Sequence, residues 1–137
     1  MRILLFSFFA FTLFAGCSES KSELTLKQQI DNFIAEQQFE EAHSLLDEQE
    51  ESEGIAEQRE KVHLQHGIYL IYNADPASMR ENANNALREF IAVLEINPEN
   101  EKARAETEQI LNIYRTFPDR QPAEDVLEKL EELGFQI

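Results

Sequence analysis

The chain is 137 residues long, with 12 Lys and Arg against 27 Asp and Glu, a formal net charge of −15 and a single cysteine. That length accommodates one domain. The acidic surface repels a phosphate backbone and excludes nucleic acid as a partner, and one Cys excludes an intramolecular disulfide or a four-Cys zinc site.

The apolar residues are unevenly placed: about half of the ten Phe fall in the first 16 residues, MRILLFSFFAFTLFAG. Arg2 supplies a minimal positive start. Ile3 to Phe14 form an apolar run of about 12 residues, too short for a ~30 Å hydrocarbon core that needs roughly 20. A charged start, an apolar stretch and small closing residues describe a secretory signal. The end of the run, Phe14-Ala15-Gly16-Cys17, resembles the lipobox of bacterial lipoproteins, with Phe14 in place of the usual Leu. The resemblance implies that the signal 1–16 is cut before Cys17, whose thiol carries diacylglycerol and whose new amino group takes an acyl chain such as palmitate. Each buried CH₂ contributes about 0.8 kcal/mol, so several chains hold a domain firmly on a membrane. Ser18 stands where an Asp would imply retention at the inner membrane, so the resemblance implies an outer-membrane lipoprotein facing the periplasm. An ordinary cleaved signal that leaves a free thiol is the alternative.

Residues 17–23 then read as the lipidated Cys and a polar tether, reaching only ~20 Å when extended. Residues 24–137 form the folded domain. Removing 1–16 takes away Arg2 and no acid, so the remainder is more acidic still. Such a surface stays off anionic headgroups and leaves the anchoring to lipid.

From residue 24 onward apolar residues recur at spacings of three and four, the helical period, and strand signals are nearly absent. Leu26, Ile30, Phe33 and Ile34 make the first stripe, with Thr25 and Gln28 fitting a capping box. Phe39, Ala42, Leu45 and Leu46 make the second, and the acidic segment from Glu48 to Gly54 is expected to be a loop. Ile55, Val62, His66, Tyr69 and Leu70 mark a longer third helix. Asp75 and Pro76 are expected to cap and open a fourth. Ala83, Ala86, Leu87, Phe90, Val93 and Leu94 form its face, and it must stop before Pro98. Ala103, Thr107, Ile110, Leu111 and Tyr114 give a fifth, closed by Phe117-Pro118. Pro122 is expected to open a sixth carrying Val126, Leu127, Leu130 and Leu133, with Gly134 just past its end. The fold class is all-α: about six helices in antiparallel hairpins joined by short loops.

Ala86, Phe90 and Pro98 have the spacing of the Ala, Phe and Pro in the second helix and linker of a tetratricopeptide repeat, and the segment from Asn84 to Asn100 resembles that element. Gly67 corresponds to the small residue of the partner helix. Gly67 to Ala86 spans 19 positions, where the family has about 12, and the Asn-rich stretch from Asn73 to Asn85 holds the excess. The first hairpin matches less closely, with Ile30 at the small position, and the third by helical pattern alone. The resemblance implies a tetratricopeptide-like array; a plain helical bundle is the alternative.

No nucleophile motif, phosphate-binding Gly loop or HExxH pair is present, so an enzyme is not expected, nor a cofactor or a metal. His63 and His66, with Glu60 one turn before, suit a metal-binding or enzymatic alternative; His43 stands alone in the sequence. Carboxylates are too numerous for any pair to be singled out. Tetratricopeptide arrays bind peptides and partner helices, which implies a non-catalytic adaptor or assembly factor that binds another envelope protein. Tyr69, Tyr72 and Tyr114 are its candidate partner-binding residues, and Cys17 its lipidation site. Phe135 and Ile137 are expected to tuck against the last hairpin or form a docking tail.

Overall fold

A computed structural model describes residues 24–117 and 119–136. The expected signal segment, Cys17, the tether, Pro118 and Ile137 lie outside the described residues. Six α-helices follow in chain order: α1 (Leu26–Ala35), α2 (Phe39–Asp47), α3 (Glu53–Tyr72), α4 (Met79–Ile96), α5 (Glu101–Arg115) and α6 (Glu124–Glu132). No strand occurs among the described residues, and none of the described helices is long and apolar enough to cross a membrane. The expected all-α array of about six helices is what the described residues form.

Local signals set most boundaries. Thr25 and Gln28 make the expected capping box, each side chain bonded to the other's backbone N–H. Asn100 caps α5 by accepting from the Ala103 amide. Gly134, at φ +84°, ends α6 with the Gly134 amide on the Glu131 carbonyl and the Phe135 amide on that of Leu130. The same two-bond closure ends α1, with Gln37 at φ 61° in the position that favours glycine.

Three boundaries differ from expectation. Gly54 lies in the first turn of α3, because Ser52 accepts from the Ile55 amide and starts the helix early. Asp75 and Pro76 open a 3-10 turn, Pro76–Ser78, that leads into α4. Pro122 precedes the last helix rather than opening it; the Ala123 amide donates to Asn84 Oδ1 of α4 at 2.8 Å.

Two apolar clusters hold the array. The smaller joins Ile30, Phe39, Ala42, Leu46 and Val62, so α1 and α2 close on one side of α3. The larger runs from Ala86 through Phe90 and Leu94 to Ile110, Leu111, Val126, Leu130 and Phe135. Leu64, Ile68, Leu70 and Ile71 pack against it from α3. Hence α3 is apolar on two faces, one for each cluster. Of the two alternatives for Phe135, tucked or a docking tail, the ring takes the first: it is buried, under the Arg104 guanidinium.

Gly67 is where α3 and α4 come closest. A Cβ there would lie 2.6 Å from Phe90 Cε1, and Phe90 is fully buried. Polar ties add register. Glu60 Oε1 accepts from both Asn97 (2.9 Å) and Asn100 (2.7 Å), binding α3 to the α4–α5 linker. Arg59 grips the end of α2 through Asp47 and the Leu46 carbonyl. Arg88 of α4 pairs with both oxygens of Asp125 of α6.

Candidate functional site

The three tyrosines separate. Tyr69 turns toward the first hairpin, with its ring centroid 5.4 Å from that of Phe39. Tyr72 and Tyr114 meet at the far end of the α3–α4 hairpin, in a cavity of about 490 Å³. Its walls are the last turn of α3, the 3-10 turn, the start of α4 and the end of α5. Tyr72, Met79, Ile113 and Phe117 are exposed there, a cluster of large apolar side chains in a chain that is otherwise strongly acidic.

Tyr72 is fixed rather than free. Its hydroxyl donates to Glu106 Oε2 at 2.9 Å and accepts from Gln109 Nε2 at 3.0 Å. Glu106 is itself buried, and Lys102 takes its other oxygen at 2.5 Å. Burial pushes the Tyr114 hydroxyl up, opposed by the nearby charge of Arg80. That hydroxyl is buried and has no hydrogen-bond partner among the described residues. Arg80 and Arg120 also line the cavity, and neither is in a salt bridge among the described residues. The cavity is thus an apolar trough lined by two cations outside any described salt bridge, Arg120 lying over the Phe117 ring at 5.3 Å.

A second cluster joins the two hairpins. Its carboxylate is not Glu60, which is occupied by Asn97 and Asn100, but Glu89, on α4. His63 Nδ1 lies 2.7 Å from Glu89 Oε2, His43 Nε2 3.8 Å from the same oxygen, and His66 Nδ1 3.1 Å from Oε1. The three rings come from α2 (His43) and α3 (His63, His66). Phe39 stacks on His66 at 4.6 Å between centroids and 8° between planes, fixing that ring. His43 and His63 face each other at 4.5 Å. Burial raises the Glu89 carboxyl, but the facing His63 and His66 rings outweigh it and hold the group at about 2. Burial lowers His43, with the His63 charge adding to the effect.

Sequence spacing placed His63 and His66 on one helix face. It did not bring in His43, or Glu89, which lies 26 positions beyond His63. No protein-family model matches the chain, no curated protein sequence is detectably similar to it, and no solved structure matches it.

Proposed function

We propose that the chain is a lipid-anchored, non-catalytic adaptor or assembly factor of the bacterial envelope. In this reading Cys17 carries the lipid, the outer membrane holds the anchor, and residues 24–137 face the periplasm. The Phe14-Ala15-Gly16-Cys17 segment supports the anchor. The observation that carries the adaptor role is the trough between Tyr72 and Tyr114, with Met79, Ile113 and Phe117 exposed around it. Its size lies within the ~300–1,000 Å³ of ligand sites. Large apolar side chains left in water mark binding surfaces when they cluster. Arg80 and Arg120, neither in a salt bridge among the described residues, favour an apolar segment of another envelope protein that brings a carboxylate, from a side chain or a chain end.

A tetratricopeptide-like character belongs to the same reading. The close approach of Gly67 to Phe90 and the full burial of Ala86 support it, because that repeat needs small residues where its helices touch.

Two experiments test the reading. Cys17→Ser should release the protein from the membrane fraction and leave its precursor uncut; normal processing and membrane retention would end the lipoprotein half. For the adaptor half, a photo-crosslinking residue at Met79 or Ile113 should trap a defined envelope protein in cells, and the same label at exposed Glu128 should not. Tyr72→Ala should weaken the trapping. Equal trapping at all three positions, or none at any, would remove the trough as the docking site.

A further inference from the structure

We propose that His43, His63, His66 and Glu89 bind a borderline divalent transition-metal ion, with Zn²⁺ the representative case, and that the ion clamps the first hairpin onto the second.

The first argument is convergence. Ligand atoms of His43, His63 and Glu89 all lie within 4.8 Å of one another. His66 Nδ1 stands at the other oxygen of the same carboxylate, 3.1 Å away. Tetrahedral zinc with bonds of ~2.0–2.1 Å places its ligand atoms about 3.3 Å apart. The observed nitrogen–carboxylate separations of 2.7, 3.1 and 3.8 Å bracket that value. His66 lies outside the group of mutually close ligand atoms, so an ion held by all four side chains would require the His66 ring to shift toward it.

The second argument is unmet bonding. One carboxylate has three rings pointed at it, and only His63 makes a well-aligned hydrogen bond to it. His43 Nε2 and His66 Nδ1 are buried and have no hydrogen-bond partner among the described residues. Buried polar nitrogens without partners are rare in folded proteins and call for a cause. A cation bound among the rings would accept both lone pairs at once.

The third argument is donor chemistry. The donor set of three imidazoles and one carboxylate selects zinc and its neighbours over magnesium or calcium, which take oxygen. The stack of Phe39 on His66 holds one ligand ring in place before any ion arrives. The net charge of −15 raises the local concentration of any cation.

The test is calorimetric titration with Zn²⁺ alone into the purified full chain in detergent. Every sample carries Cys17→Ser, so that no thiol competes. One equivalent should bind, and hydrogen exchange should slow selectively in α1 and α2. His43→Gln, His63→Gln and Glu89→Gln should each weaken binding at least about tenfold, while Glu128→Gln, on an exposed face of α6, should leave it unchanged. Nuclear magnetic resonance of the Cys17→Ser protein reads the site with every proposed ligand in place: zinc should move the ring signals of all three histidines together. Absence of saturable binding would overturn the proposal. So would zinc binding that leaves the histidine signals in place, because surface carboxylates would then be the ligands.

Discussion

The two junctions of α3 differ in kind. On one side it meets α4, where Gly67 lets the helices touch and fully buried Phe90, Leu87 and Leu94 fill the contact. On the other it meets α1 and α2, where a smaller apolar cluster shares the seam with three histidines, Glu89 and the Arg59 grip on α2. An apolar seam contributes stability in proportion to the area removed from water. A seam built partly from titratable groups contributes less by itself and responds to what binds there. The first hairpin is therefore expected to be the part that opens first under native conditions.

The largest effect should come from the apolar seam. Phe90→Ala should cost about 3–5 kcal/mol and lower the urea midpoint of the whole domain. Leu46→Ala, in the smaller cluster, should cost about 2–5 kcal/mol, but hydrogen exchange should rise mainly in α1 and α2. Uniform loss of protection in both variants would erase the distinction between the seams.

Gly67→Ala should cost about 1–3 kcal/mol by overpacking, because Phe90 is enclosed and its ring has no room to yield. A neutral result in denaturant would show that the two helices are able to part there. The helix ends offer a smaller contrast. Gln37→Gly should stabilise the first hairpin by about 0.5–1 kcal/mol, since its positive φ suits glycine, and Gly134→Ala should destabilise α6 by a similar amount. Thermal unfolding of the pair should show shifts of opposite sign; shifts of the same sign would refute the backbone argument.

The smallest effect concerns Asp125. The hydrogen bond from Arg88 holds its carboxyl below the ordinary Asp value. Because the folded form binds its proton less readily, the pair's contribution is present above that ordinary value and fades as pH falls through the lowered one. The pair is exposed, so the contribution is small. Asp125→Asn should flatten the acid limb of the stability curve slightly; an unchanged limb would sink the assignment.

Much of the fold was legible in the sequence, because helical periodicity and caps are local. Thr25 with Gln28, the apolar stripe from Ala86 to Leu94, and Gly134 all act where they were expected to act. The polar partners were less legible. Glu89 lies among 27 acids, and only the packing of α3 on α4 sets it against the histidines. His43 becomes part of that cluster only when α2 folds back along α3. Gln37 gave no warning of its left-handed backbone, since the closing bonds of α1 impose it.

The 19-position interval between Gly67 and Ala86 first stood out as a misfit of spacing. In three dimensions it is an overhang. Phe39, opening α2, reaches no further along α3 than Tyr69, and α6 begins opposite Asn84. The turns between those limits reach past the starts of α2 and α6 and pack along the end of α5, with Tyr72, Met79 and Arg80 among the lining. Shortening the overhang would remove the trough together with the Tyr72 bond to buried Glu106, while Phe90 keeps its contact with Gly67. Drift in the Asn-rich stretch can therefore reshape the trough while the Gly67–Phe90 contact stays as it is.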